Sequence, residues 1–96
     1  MDVLVTYDVA TETAAGRRRL RKAANACLAF GQRVQKSVFE CHLTEVQLEQ
    51  LRHRLLGIIN EEEDSLRIYR LPKSRQACLS VYGRKPDIDY QGPLIV

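Results

Sequence analysis

Apolar positions along this chain switch between two periods, and the changes of period mark its elements. Val3-Leu4-Val5-Thr6-Tyr7 is β-branched and aromatic and too short for a helix, which predicts a buried strand ending at Asp8. After a polar stretch around Thr11 to Gly16, apolar residues recur at Leu20, Ala23, Ala24, Cys27 and Leu28, a helical stripe with Gly31 placed to close it. Arg33 to Cys41 is strand-like but mixed. Val34 and Val38 share a face with Lys36 and Glu40, while Phe39 and Cys41 share the other with Arg33, Gln35 and Ser37. Such a strand often has one face on the core and the other in an interface or site. Thr44 with Gln47 three residues on fits a capping box, and the stripe Leu48, Leu51, Leu55, Ile58, Ile59 carries a second amphipathic helix into the acidic run. Ser65 to Leu71 predicts a strand stopped by Pro72, and Ala77 to Tyr82 a further one stopped by Gly83 and Pro86.

Together the elements are read as β-α-β-β-α-β, an α+β, ferredoxin-like sandwich with two helices on one face of an antiparallel four-stranded sheet. The 96 residues make one domain, with a core over 1–82 and a C-terminal tail over 83–96. That tail is polar but finishes Pro93-Leu94-Ile95-Val96, an apolar end that a small monomer would rarely leave in water. A domain of this size buries only about 60–70% of the surface its unfolded chain exposes, so a partner covering that end would add to its stability.

Composition narrows the function classes. Hydrophobic residues at 45% and charged ones at 28% are ordinary for a globular protein. No apolar run approaches the roughly 18 residues of a membrane span, and Met1-Asp2 leads straight into a strand rather than a signal peptide. Cys27, Cys41 and Cys78 are odd in number and lack C-x-x-C spacing. They read as small buried hydrophobes, reduced in a cytoplasmic protein, rather than as a disulfide scaffold or zinc module. The net charge of +3 is mild, but eleven of the fifteen basic residues are arginine, whose planar fork suits phosphate. No acid falls between Glu12 and Glu40, where Arg17, Arg18, Arg19, Arg21, Lys22, Arg33 and Lys36 stand, and negative charge gathers at Glu61-Glu62-Glu63-Asp64. A polyanion such as nucleic acid fits this segregation, and so does a solvated helix face.

Asp8 is the leading candidate for chemistry, because it ends the first strand, where such sheets present side chains to ligands. An aspartate there is also a common turn or cap residue. Magnesium takes one or two carboxylates plus waters and substrate phosphates. Asp2 is six residues away, roughly 20 Å at strand rise and too far to share an ion, and Glu12 reaches only if its loop folds back. A two-fold dimer would bring two copies of Asp8 together, so a metal site in this chain requires a dimer. Basic residues at the start of the first helix oppose its dipole at roughly 0.3–1 kcal/mol each. That favours an anion docked on them, unless the helix begins earlier, near Thr13. Other signals are weak. His42 and His53 lack metal partners at helical spacing, Ser37 lacks an adjacent base, and there is neither a phosphate-cradling glycine loop nor an RNP-like aromatic cluster.

Four segments in order, Val5-Thr6-Tyr7-Asp8-Val9, Arg19-Leu20-Arg21-Lys22, Gly31 through Cys41, and Asp64 through Leu71, resemble one family. It is the small CRISPR-associated endonuclease that partners the CRISPR integrase. The likeness runs from Met1 to about Leu71, and Arg33-Val34-Gln35-Lys36-Ser37-Val38-Phe39-Glu40 beside the Tyr-Asp strand end is its specific part. The resemblance implies a homodimer whose short C-terminal strand packs on the partner's sheet, which would explain Leu94-Ile95-Val96. It makes Asp8 the catalytic acid and metal ligand, holding Mg2+ across the dimer axis, with Tyr7 in the same motif. Ser37, Phe39 and Arg33 map onto the second strand near the same cleft. The family's arginines after strand one fall on Arg17 to Arg19, where Arg17 and Arg19 are the choice.

The function so implied is CRISPR adaptation, the acquisition of spacers. The protein would be a magnesium-dependent endonuclease of single-stranded RNA or double-stranded DNA, with Tyr7, Asp8, Ser37 and Phe39 at the reacting phosphate. It would also scaffold the protospacer duplex with the integrase, Arg17, Arg18, Arg19, Lys22 and Arg33 tracking phosphates without reading bases. The alternatives are a non-catalytic duplex-binding scaffold and a toxin-like ribonuclease. No motif distinguishes RNA from DNA.

Overall fold

The structure is a computed structural model that describes residues 1–83. Its elements run β1 (Asp2–Asp8), α1 (Ala14–Leu28), β2 (Gly31–Gln35), β3 (Val38–His42), α2 (Glu45–Leu56), β4 (Ser65–Arg70) and a single turn, α3 (Arg75–Cys78). The strands form one antiparallel sheet in the order β2-β3-β1-β4, the ferredoxin-like arrangement. Strand β1 alternates as its sequence requires: Val3, Val5 and Tyr7 are buried, while Asp2, Leu4, Thr6 and Asp8 turn to the other face. Phe39 and Cys41 from β3 meet them, and the layer is closed by Ala23, Ala24, Ala26 and Cys27 of α1 and Leu48, Leu51 and Leu55 of α2. Each large apolar side chain buried this way contributes about 1.5–3 kcal/mol.

Both long helices start where local chemistry directs. The Thr44 hydroxyl accepts the Gln47 amide at 3.1 Å and the Gln47 side chain accepts the Thr44 amide at 2.9 Å, the capping box read from the sequence. Helix α2 ends at Leu56, so Ile58 and Ile59 lie half-buried in the turn beyond it rather than on its stripe. Helix α1 is capped by Thr13, whose hydroxyl accepts the Gly16 amide at 3.0 Å. Arg17 therefore sits beyond the first turn, and the dipole argument for an anion at the helix start loses most of its force. Gly16 is needed here, because a Cβ would overlap the Ala10 carbonyl oxygen and push the β1–α1 loop off the helix.

Three sequence expectations are corrected. Arg33 to Cys41 is two strands: the chain turns at Lys36 and Ser37, and a bulge between Arg33 and Gln35 shifts the register, which is why the alternation looked mixed. The β-α-β-β-α-β order thus comes from this hairpin. Ala77 to Tyr82 is not a strand. The Ser74 hydroxyl caps α3 instead, Asp2 accepts the Arg75 amide, and the Arg75 guanidinium reaches Glu40 at 3.0 Å, so local polar partners win over β-propensity. Gly31 does not close α1, whose cap is Ala29; it opens β2, where a Cβ would overlap Glu40 and Cys41. The C-terminal strand expected within the tail lies outside the described residues apart from Gly83.

Candidate metal and nucleic-acid site

The site begins where β1 leaves the sheet. Asp8 is exposed, pairs in register with Ser65 at the start of β4, and meets no donor among the described residues. The other β1 carboxylate, Asp2, sits at the far end of the strand and is occupied by His42 Nδ1 at 2.6 Å and the Arg75 amide. These donors hold its carboxyl below the usual aspartate value. Among the described residues no group of three His, Cys, Asp or Glu could hold a metal ion, so Asp8 belongs to no such cluster within one chain.

Beneath Asp8, on the core side of the sheet, the structure brings together Tyr7, Phe39, Arg33 and Ser37. The Tyr7 and Phe39 rings stack at 6.0 Å between centroids and 26° between planes, and the Arg33 guanidinium lies 5.2 Å from the Phe39 centroid. The Tyr7 amide donates to the Ser37 carbonyl at 3.2 Å, fixing the hairpin turn against β1. Phe39 is completely buried, and Tyr7 is 6% exposed. The Tyr7 hydroxyl and Arg33 Nε are buried without a hydrogen-bond partner. Burial raises the Tyr7 phenol above its ordinary pKa and the nearby Arg33 charge offsets part of this, so the phenol stays protonated at neutral pH. These residues form a wall supporting the Asp8 end of the sheet, and Phe39 presents no surface of its own.

The basic run divides. Arg17 is exposed and donates to the Thr11 carbonyl at 3.1 Å, and Arg18, Arg21 and Lys22 are exposed on α1. Arg18 and Lys22 line a cleft of about 310 Å³ with Ala15, Arg19, Gly57 and Ile58. Arg19 turns inward. Its Nε donates to Asp64 Oδ2 at 2.8 Å and its Nη2 to Oδ1 at 3.2 Å, with Glu63 at 3.8 Å. The Asp64 side chain is 0% exposed and also accepts the amides of Ala10 at 3.0 Å and Asn60 at 2.8 Å. Arg19 chiefly, then the two amides, hold its carboxyl at a pKa of about 2. The sequence reading placed Asp64 in an acidic run; the available signal was its place immediately before an apolar strand. Cys27 and Cys41 are buried, their thiols pushed up to about 12 by desolvation, whereas Cys78 is exposed, contrary to the buried role read for all three.

The Asp64 geometry predicts an acid-sensitive stability. Its folded pKa lies below the unfolded value of about 3.9, so the stabilisation is complete above about pH 5 and disappears as pH falls toward 2. About 1–2 kcal/mol is expected from this group. The gap in urea midpoint between wild type and Asp64→Asn should narrow from pH 7 to pH 3; a constant gap would exclude the ion pair as the cause.

With this geometry in place, comparison with known proteins is specific. A family described as CRISPR associated protein Cas2 matches residues 1–77. The chain is 56% identical, over the full length of both, to the CRISPR-associated endoribonuclease Cas2 1 of Moorella thermoacetica. It is 52% identical, over 99% of each chain, to the CRISPR-associated endonuclease Cas2 of Halalkalibacterium halodurans. The crystal structure of Streptococcus pyogenes Cas2 superposes with a TM-score of 0.77 at 53% identity, covering 86% of this chain and 100% of that one. Fold, the Tyr-Asp strand end and full-length similarity agree, and the chain belongs to the Cas2 family of CRISPR-associated proteins.

Proposed function

We propose that the protein is a homodimeric, magnesium-dependent endonuclease of CRISPR adaptation, cutting single-stranded RNA or double-stranded DNA. The observation that carries this reading is Asp8: an exposed, unpaired carboxylate at a strand end that belongs to no cluster of three metal-ligating side chains among the described residues. One carboxylate from each protomer fits magnesium, which keeps several waters and takes its remaining ligands from phosphate oxygens. When bound, the ion would supply charge neutralisation at the phosphate and a water of lowered pKa. The chain's own residues would do the rest. Asp8 would hold the ion, and the packed Tyr7, Phe39 and Arg33 wall would keep Asp8 in place. Arg17, Arg18 and Lys22 would bind the phosphate backbone irrespective of sequence.

A second copy is favoured by the outer face of the sheet, where Leu4, Val38 and Tyr69 are only partly covered, and by exposed Leu79, Val81 and Tyr82 beyond α3. Family membership supports the partnership with the integrase and the cytoplasmic setting. No helix among the described residues is long and apolar enough to cross a membrane. A non-catalytic scaffold is the second reading, favoured by the exposed basic face of α1, which needs no metal to bind a duplex.

The test is metal removal. Purified dimer is incubated with single-stranded RNA and with plasmid DNA, in magnesium and in EDTA. Cleavage in magnesium and none in EDTA is expected, and the substrate cut names the activity. Equal degradation in EDTA would remove the metal from the cleavage, and no cleavage in either condition leaves the scaffold reading.

A further inference from the structure

Asp64 is the buried charged residue of the described part of the molecule. Its side chain is 0% exposed, and one carboxylate accepts four hydrogen bonds, from Ala10 N, Asn60 N, Arg19 Nε and Arg19 Nη2. A buried ionised carboxylate is tolerable only when its lone pairs are answered, and here three separate segments answer them. Those segments are the loop after β1, the helix α1 and the turn before β4. Two of them bear on the proposed site. Ala10 lies two residues beyond Asp8, and Ser65, which follows Asp64, is the residue paired with Asp8 in the sheet. Arg19 is the central member of the basic surface as read from the sequence, yet its side chain is only 16% exposed and its fork is filled.

We propose, on the basis of the nucleic-acid-binding reading above, that Asp64 is a positioning residue which ties the loop following Asp8 to β4 and withdraws Arg19 from the phosphate-binding surface. The sequence reading of Arg19 as a phosphate contact is thereby replaced. Phosphate contact on α1 falls to Arg17, Arg18, Arg21 and Lys22, whose side chains are exposed and have no acidic partner among the described residues. Arg19 acts instead as the arm by which Asp64 sets the helix against the loop. Gly16 completes the joint, since only a residue without Cβ lets the Ala10 carbonyl approach α1 this closely.

Two measurements test this. The first is residue-resolved amide hydrogen exchange at pH 7 in wild type and Asp64→Asn, which keeps the shape but presents a donor where two donors already point. Exchange at Ala10 is expected to accelerate at least about tenfold, with the β1–β3 ladder changed less than about threefold. Acceleration at Ala10 only in step with the whole sheet would make Asp64 a general stabiliser and overturn the positioning role. Should Asp64→Asn fail to fold, the Arg19 Nε–H resonance of the wild type gives the same decision: it is expected to be protected and unmoved by saturating duplex, and a shift on binding overturns the proposal.

The second is duplex affinity against salt for Arg18→Gln and Arg19→Gln. Each lost phosphate contact lowers the slope of log affinity on log salt by about 0.9. Arg18→Gln is expected to show that loss and Arg19→Gln none; an equal loss in both would put Arg19 on phosphate. Exchange needs no nucleic acid, so a wild type that binds no duplex would sink the proposed function while leaving Asp64 decided by the first measurement.

Discussion

Asp8→Asn is expected to lower magnesium-dependent cleavage by at least about 100-fold while changing stability by less than about 0.5 kcal/mol. The two halves of this expectation have separate causes. Asparagine keeps the shape of the side chain but removes the charge that a hard divalent cation requires, and metal-assisted charge neutralisation accounts for several kcal/mol of a phosphate-cleavage barrier. Asp8 makes no hydrogen bond or ion pair among the described residues, so its loss leaves nothing behind unsatisfied in the fold. Because each dimer would lose both copies of the ligand, no intact half-site remains to rescue turnover. Initial rates on the substrate identified by the magnesium and EDTA comparison, with thermal melts on the same preparations, check both halves. Full activity in a folded Asp8→Asn dimer would remove the aspartate from the chemistry.

Phe39→Ala is expected to behave in the opposite way, costing about 3–5 kcal/mol of stability. The ring is completely buried, stacked on Tyr7 and covered by the Arg33 guanidinium, and its removal opens a cavity in the core. Against a total stability of about 5–15 kcal/mol, that loss lowers the melting temperature by more than about 10 °C and leaves part of the population unfolded at assay temperature. Phe39→Leu refills most of the space and is expected to cost about 1–2 kcal/mol. Corrected for folded fraction, the leucine variant should cleave within about threefold of wild type. A folded Phe39→Leu protein that has lost 100-fold in rate would place the ring against substrate after all.

The contrast between these residues marks how far the site could be read before folding. Asp8 was legible because a strand end is a local feature: β-branched residues stop, a carboxylate follows, and the backbone has nowhere to bury it. Phe39 was legible only as a member of a recognisable segment. Whether it faces solvent or the core depends on the turn at Lys36 and Ser37, which divides that segment into two strands and sets the phase of each. The pairing of Arg19 was hidden for a similar reason. A triplet of arginines looks uniform along the chain, and only one of them meets Asp64, a residue 45 positions away. The short α3 turn replaced a predicted strand because Asp2 and Glu40, distant in sequence, supply partners to Arg75.

The amino-acid sequence by itself determined the periods and the ends of the elements: a strand to Asp8, a helix with an alanine-rich face, a capping box at Thr44, a strand from Ser65, and through them the fold class. Those features arise from interactions within a few residues, where backbone geometry and side-chain spacing leave little choice. Tertiary structure alone decided which charges are free. Arg19 is neutralised by Asp64 and Asp2 is occupied by His42 and Arg75, while Asp8, Arg18 and Lys22 are left to solvent. A charge in water and a charge in a filled, desolvated pair are the same letter in the sequence, and only the partners brought from far along the chain make one available for binding and the other part of the frame.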